Sequence, residues 1–246
     1  TYGEAWKGAA MNYEKAFRYV FEDPEWVGKI VLFIVMSVLA FLIIPVFIFN
    51  GYFIKAMKRV SMGEEGLPKW DDWGELVGIG FKLFVIQLIL AIPAIVLFAI
   101  FGWAAIVSAI VPAGQNYSMM GSSPAFGALG AGFFFALFLV GIYGLAIAVV
   151  FPAMAMRFAS ENYSIGAAFK FGEVFKVMVD DIGEYLSSIA IFVGLFIVAF
   201  MIGTATFNIG SLVLAPYVYL VGAHLFGQIM RGKSAAVREG GVAATP

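Results

Sequence analysis

The sequence predicts an all-α integral membrane protein with six transmembrane or re-entrant helices, arranged as three helical hairpins. The 246 residues are 62% hydrophobic and only 13% charged, whereas a soluble domain is typically about 45–50% apolar and about 25% charged. Three long runs, 30–54, 83–156 and 185–230, contain no Asp, Glu, Lys or Arg. A helix of roughly 20 apolar residues crosses a bilayer, so the second and third runs are each long enough for a hairpin.

The charged residues lie in four islands, which occupy residues 1–29, 55–82, 157–184 and 231–246. Each island contains Lys and Arg, and connections rich in these residues remain in the cytoplasm. The connections at 112–127 and 203–211 carry no charge and are rich in turn-forming residues. We therefore predict a multi-pass protein of the cytoplasmic membrane, with these two connections outside and both termini in the cytoplasm.

The first apolar run has two interpretations. Pro45 lies in its middle, and proline removes a helical hydrogen bond and clashes with the preceding turn. A break at this point predicts a short re-entrant hairpin, with helices at about residues 24–44 and 46–60. The alternative is one kinked span, which gives five spans in all and places the N-terminus outside.

An internal repeat supports three hairpins within a single membrane domain of residues 1–246. Acidic clusters precede the apolar runs and read EDPEW, DDWGE and DDIGE. Basic residues follow each hairpin. The repeat units cover about residues 13–60, 67–157 and 164–233, and each begins with an amphipathic helix at the membrane interface. Membrane folds are often built from such repeats.

The acidic clusters and the amphipathic stretches each have two explanations. Asp and Glu at a helix start satisfy free backbone N–H groups, and Pro24 suits a first helical position. The alternative is a cytoplasmic docking site for a cation or a protein. In the third island, Phe171, Phe175 and Val179 recur at helical spacing. A helix of this kind lies in the headgroup plane or docks on a soluble partner.

Few polar side chains fall within the apolar runs, and the main ones are Gln87, Asn208, His224 and Gln228. Polar groups inside a membrane normally mark function, but these runs lack the carboxylates and basic groups that ion-coupled transporters need. His224, the only histidine, is the candidate cofactor-binding residue, as a ligand of a haem or chlorophyll metal. The alternative is a structural hydrogen bond to Gln228, one helical turn later. We predict no catalytic residue and no metal site, because cysteine is absent and a second ligand is missing.

Small residues recur along the apolar runs, among them Gly141, Gly144, Gly194, Gly222 and Gly227. Small residues allow helices to approach closely in lipid. This spacing serves contacts within the chain and contacts with another subunit equally well.

Three segments carry a resemblance to known proteins: AFRYVFEDPEWVGKI, GYFIKAMKRV and LPKWDDWGELVGIGFKLFVI. They resemble a widespread archaeal and bacterial family of polytopic membrane proteins that is catalogued as a domain of unknown function. The resemblance covers about residues 13–233, and EDPEWVGK and WDDWG are its most specific motifs. It implies a polytopic protein with repeated hairpins, and it implies no activity.

The smooth apolar helices and the 26 Phe residues favour a non-enzymatic accessory or scaffold subunit of a larger prokaryotic membrane complex. Its expected partners are the lipid bilayer and other membrane subunits. The net charge of −1 argues against nucleic acid. One alternative is a transporter or channel-like protein for an apolar or lipid-like solute, which a groove lined by the four intramembrane polar residues would favour. The other is an interfacial lipid-modifying enzyme that depends on Asp72 and Asp181.

Overall fold

The computed structural model describes the backbone of residues 11–110 and 124–242, and their side chains except at 40–41, 101–110, 124–131 and 232–242. Every regular element within these residues is helical, which confirms the all-α prediction. The helices are α1 (Tyr13–Arg18), α2 (Trp26–Val38), α3 (Ile44–Met62), α4 (Trp73–Ile110), α5 (Pro124–Ser160), α6 (Ile165–Ala168), α7 (Phe171–Asp180), α8 (Ile182–Ala205) and α9 (Ile209–Val242), with a 3₁₀ turn at Leu39–Leu42. The predicted connection at 112–127 lies largely outside the described residues.

Four stretches of the described chain are long and apolar enough to cross a membrane: Trp73–Ile100, Gly132–Ser160, Ile182–Ala205 and Ile209–Arg231. They fall within α4, α5, α8 and α9 and support the prediction of a membrane protein. The two helices of the first apolar run are not among them. α2 has 13 residues, which is about 20 Å of helix, and the second half of α3 carries Lys55, Lys58 and Arg59.

The first apolar run nevertheless folds into two helices that pack against each other. The ring of Phe33 in α2 stacks on Phe49 of α3 with 5.0 Å between centroids, and it meets Tyr52 edge-on at 4.9 Å. The chain therefore doubles back as a helical hairpin. The break falls at Ile43, whose φ of +67° is unusual for a β-branched residue. Pro45 lies in the first turn of α3, where its missing N–H costs no helical hydrogen bond.

The predicted helix boundaries in this run are partly right. A break near Pro45 is present, but the first helix ends at Val38 and continues as a 3₁₀ turn. Pro24 does not begin the first helix. The chain turns there instead, since the Trp26 N–H donates to the Asp23 carbonyl at 3.1 Å. The side chain of Asp23 takes part in this turn, so α2 begins at Trp26.

The third apolar run forms an antiparallel pair of helices, α8 and α9. The Phe192 ring lies 5.8 Å from the Phe226 ring, and the Phe196 ring, one turn later in α8, lies 5.4 Å from the earlier Tyr219 ring of α9. In the turn itself, Asn208 has a φ of +69°, and its N–H donates to the Gly203 carbonyl at 2.6 Å. A turn within the uncharged connection 203–211 is therefore confirmed.

The chain divides into two compact units, and the first comprises Thr1–Val85 and Pro152–Pro246. Within its described residues, α9 contacts α1, α2, α3 and α8. The α3–α9 contact depends on a glycine, because a Cβ at Gly227 would lie 2.7 Å from the Met57 carbonyl oxygen. α9 is therefore the central helix of this unit.

The second compact unit is Ile86–Phe151, and its described parts belong to α4 and α5. These parts run antiparallel. The Tyr143 hydroxyl of α5 donates to the Leu90 carbonyl of α4 at 2.6 Å. Farther along, the rings of Phe98 and Phe133 lie 6.2 Å apart.

Candidate functional site

A buried ion pair joins the turn before α2 to α2 itself. The Lys29 ammonium lies 2.7 Å from Asp23 Oδ2, and the two side chains are only 10% and 6% exposed. The Leu67 N–H donates to the same Oδ2 at 2.8 Å, and Lys29 also donates to the Leu67 carbonyl at 3.4 Å. The Glu25 N–H donates to Asp23 Oδ1 at 2.8 Å. The pair therefore holds the loop after α3 against the start of α2.

Two tyrosines hold the same loop. The Tyr19 hydroxyl donates to the Gly66 carbonyl at 3.1 Å, and the Tyr52 hydroxyl donates to the Pro68 carbonyl at 2.8 Å. Gly66 has a φ of +73°, which glycine adopts without strain. We call the loop at residues 63–72, with the side chains that hold it, the loop clasp.

The electrostatics of the loop clasp favour an ionised Asp23. Burial by itself would raise the pKa of this carboxyl group, since desolvation disfavours the charged form. Hydrogen bonds from Lys29, Leu67 and Glu25, together with the charge of Lys29, more than offset burial, so the pKa lies below its usual value. Burial raises the pKa of Tyr19, which therefore remains a neutral hydrogen-bond donor. The arrangement suits a structural role, because the charges of Asp23 and Lys29 and the hydroxyls of Tyr19 and Tyr52 are used within the chain.

The three acidic clusters differ in local structure. Asp72 caps α4, since its Oδ1 accepts the Glu75 N–H at 2.9 Å, so the capping prediction is right there. Asp23 instead pairs with Lys29, and Asp181 precedes α8 without a side-chain capping bond. Among the described residues, no group of three or more His, Cys, Asp or Glu is placed to hold a metal ion. A docking role for these clusters stays a prediction.

His224, the candidate cofactor ligand, is buried in α9 within a hydrogen-bonded network. Gln228 Nε2 lies 3.0 Å from His224 Nδ1 and donates to the Asn12 carbonyl at 3.1 Å. The Asn12 N–H donates to Gln228 Oε1 at 2.8 Å. With both Gln228 amide hydrogens donated, Nδ1 is the acceptor and the imidazole proton is assigned to Nε2. The predicted structural hydrogen bond is present, and cofactor binding stays a prediction.

The four intramembrane polar residues do not gather within either unit. Gln87 belongs to the second unit and the other three belong to the first. Gln228 follows Asn208 by 20 residues, which is about 30 Å along a helix. Asn208 therefore lies far from His224 and Gln228, and these three do not line one groove.

A groove of about 420 Å³ lies between α4 and α5, entirely within the second unit. α4 contributes Gln87, Leu90, Ala91 and Ala94, and α5 contributes Val140, Tyr143, Gly144, Ile147, Ala148 and Phe151. The polar groups on this lining are the Gln87 amide and the Tyr143 hydroxyl. A volume of this size falls within the range of small-molecule sites, about 300–1,000 Å³.

The polar contact in the groove lies next to a proline of α4. Pro93 lies inside α4 and has no N–H to donate to the Ile89 carbonyl four residues before it. The Tyr143 hydroxyl donates to the carbonyl of the following residue, Leu90. Tyr143 thus ties α5 to the turn that precedes Pro93 and forms part of the groove.

Sequence reasoning missed the loop clasp and most of the groove. Lys29 is the last charged residue before the first apolar run. A lysine at the edge of an apolar segment often needs a carboxylate partner, so this position was a usable signal. The groove had no comparable signal, because its walls come from residues that meet only when α4 and α5 pair in one register.

Comparison with protein families gives one match. Residues 30–207 match the family described as "Protein of unknown function (DUF4013)". The match begins directly after EDPEWVGK and includes WDDWG. No curated protein and no solved structure matches the chain significantly. Since the family match covers most of the chain, this protein belongs to the DUF4013 family of proteins of unknown function.

Proposed function

We propose that this protein is a non-enzymatic accessory or scaffold subunit of a larger prokaryotic membrane complex. The uneven burial of its membrane helices supports the proposal. In the most apolar stretch of α9, 50% of the residues are buried, against 11% in α4 and 6% in α5. α4 and α5 therefore leave most of their apolar surface to lipid or to helices of other subunits.

The outer surface of α5 has features of a helix-packing face. Phe134, Phe138 and Leu145 are each more than half exposed, and their spacing of four and seven residues places them on one side of the helix. We call these three residues the α5 stripe. Lipid chains can cover such a surface without a large cost in free energy. Aromatic side chains are also enriched at the centres of protein interfaces.

The first unit supports a structural role in a different way. Two of its buried polar contacts are made within the chain, the Asp23–Lys29 pair and the His224–Gln228 contact, whereas the Trp70 indole nitrogen is buried without a hydrogen-bond partner among the described residues. Satisfied buried contacts of this kind rigidify a core, which suits a structural role.

Identification of what co-purifies after gentle extraction from native membranes tests this proposal. We expect other membrane proteins in fixed stoichiometry, identified by mass spectrometry after size-exclusion chromatography. Recovery of the chain alone, or only as a homo-oligomer with lipid, under conditions that preserve known complexes of the same membrane would contradict the scaffold function.

A pair of double variants would locate the docking surface. Phe138→Ala with Leu145→Ala should release the co-purifying proteins, because it removes most of the α5 stripe. Phe200→Ala with Met201→Ala is the matched control, since these α8 side chains are also more than 60% exposed. Equal retention of partners by both double variants would exclude the α5 stripe as the docking surface.

The groove between α4 and α5 supports a second candidate function, the handling of an apolar or lipid-like solute. Purified protein in phosphatidylcholine vesicles with a trace of fluorescent NBD-phosphatidylglycerol provides the test. Lipid movement between leaflets would let dithionite bleach label from both leaflets. Bleaching limited to the outer leaflet would contradict lipid transport.

A further inference from the structure

We infer that the groove between α4 and α5 binds one hydrocarbon chain of a membrane lipid, with the polar end of the lipid near Gln87. The inference rests on the site of the second candidate function but requires no transport. It also stands apart from the scaffold function, because it concerns the seam between the two helices and not the α5 stripe.

The depth of the groove indicates a lipid chain. Gln87 follows Lys82, the last charged residue before the second apolar run, by five residues, or about 7.5 Å of helix. Ala94 lies a further seven residues on, or about 10 Å. A bilayer core is about 30 Å thick, so the groove extends from near the headgroups to about the middle of the bilayer. A lipid chain occupies this same range of depth.

Small side chains open the groove along its length. α4 contributes Ala91 and Ala94 to the lining, and α5 contributes Gly144 and Ala148. A Cβ built at Gly144 would meet no atom within 4 Å. The chain therefore leaves free volume at this position, where a helix pair in a membrane would otherwise close the gap by side-chain packing.

The polarity of the lining gives the ligand its direction. Gln87 supplies an amide near the headgroup end, whereas Ala94 and Val140 make the deeper end wholly apolar. Between them, the Tyr143 hydroxyl is already donated to the Leu90 carbonyl. Amides bind carbonyl, hydroxyl and phosphate oxygens, so the groove suits an ester-linked or otherwise polar head followed by a long hydrocarbon chain.

Photo-crosslinking in defined vesicles tests the inference. Purified protein is placed in phosphatidylcholine vesicles with a trace of phosphatidylglycerol that carries a diazirine, in one preparation near the ester and in another near the chain terminus. Peptide mapping should find the first label at Gln87 or Phe151 and the second at Ala94 or Val140. The reverse order would overturn the proposed direction, and even labelling of all lipid-facing positions would show ordinary boundary lipid only.

Two glycine substitutions provide a matched comparison. Gly144→Leu fills the groove, and its leucine occupies space that the lipid chain would otherwise take, so labelling of the groove should fall to the level of ordinary lipid-facing positions. Gly141→Leu lies one turn earlier on α5, also meets no atom within 4 Å, and should leave the groove labelling unchanged. Equal labelling of both variants would overturn the site.

Folding of the variants is checked by size-exclusion chromatography and thermal unfolding. If Gly144→Leu does not fold, Ala91→Leu fills the groove from the opposite wall and should give the same loss of labelling. Groove labelling without lipid movement between leaflets would contradict the second candidate function and leave the binding inference intact. Loss of groove labelling has no bearing on whether other subunits co-purify.

Discussion

Asp23 and Lys29 show how single residues stabilise the start of this fold. Removing a charge from water is costly, and a buried ion pair repays that cost only when its remaining hydrogen bonds are made. Here the backbone of Leu67 bonds to both partners. The pair therefore joins the start of α2 to Leu67, which follows Lys29 by 38 residues. Its loss should destabilise the loop clasp as a whole.

Replacement of Lys29 by methionine should lower the free energy of unfolding by about 3–5 kcal/mol, because Asp23 would remain buried without its cation. Lys15→Met is the control. Lys15 lies 3.7 Å from Glu65, whose side chain is 89% exposed, so its loss should cost less than about 1 kcal/mol. Thermal or SDS-induced unfolding in detergent measures both variants, and similar losses would show that the buried pair has no special role.

The pH dependence of stability should reveal the same pair. The pKa of Asp23 is lower in the folded protein than the ordinary value of 3.8. Its contribution is therefore complete above the unfolded pKa and is lost as pH falls through the folded pKa. Between about pH 5 and pH 3, wild type should lose more stability than Asp23→Asn, which lacks this titration. Parallel pH profiles of the two proteins would contradict this assignment.

Individual helices differ in which face they bury. In α7, Val174 and Val177 are buried, whereas Phe171, Phe175 and Val179 are more than half exposed. The exposed side chains are those whose spacing predicted an amphipathic face. Ile182, at the start of α8, is also more than half exposed. The exposed apolar surface of α7 thus continues to the start of α8, a helix long enough to span a membrane. This continuity is expected of a helix that lies in the headgroup plane.

The glycines of α8 and α9 allow a prediction about helix packing. Gly227→Ala would place a Cβ 2.7 Å from the Met57 carbonyl oxygen, and overpacking of this kind typically costs about 1–3 kcal/mol. Gly194→Ala is the matched control, because its Cβ would meet no atom within 4 Å. That change should be neutral or slightly stabilising, since alanine favours helix. Unfolding in detergent compares the two, and an equal cost would contradict the close α3–α9 contact.

At the scale of the whole molecule, membrane topology is the prediction with the widest consequences. Both ends of the α2–α3 hairpin and both termini are predicted to be cytoplasmic, whereas the α8–α9 turn is predicted to lie outside. The wild-type chain contains no cysteine, so each introduced cysteine reports on one position only.

Single cysteines at Asn208 and Glu65 test this topology with a membrane-impermeant maleimide on intact cells. Asn208→Cys should react, because it lies in the turn between α8 and α9. Glu65→Cys should react only in inverted vesicles, although position 65 is well exposed. Labelling of Glu65→Cys on intact cells would place the loop clasp outside and exclude the predicted orientation.

The prediction of the fold succeeded where a signal lies within one segment of chain. The break near Pro45, the turn at 203–211 and the long membrane helices follow from local composition. The predicted cap at Asp72 follows from an acidic residue beside a helix start. A groove lined by intramembrane polar residues could not be judged in this way, because distant segments come together only through the register of packed helices. Asn208, His224 and Gln228 do not line one groove, since Gln228 follows Asn208 by about 30 Å of helix.

By itself, the sequence determined that this protein is all-α and membrane-embedded, because long charge-free runs must satisfy their backbone groups internally in lipid. Only the tertiary structure decided that Lys29 pairs with Asp23, that Gly227 is covered while Gly144 is open, and that a groove lies between α4 and α5. The glycine environments and the groove depend on which residues face each other across two helices, and the ion pair depends on how the loop after α3 packs against the start of α2. Apolar periodicity shows that a helix has a face to bury, but it does not specify the partner or the register.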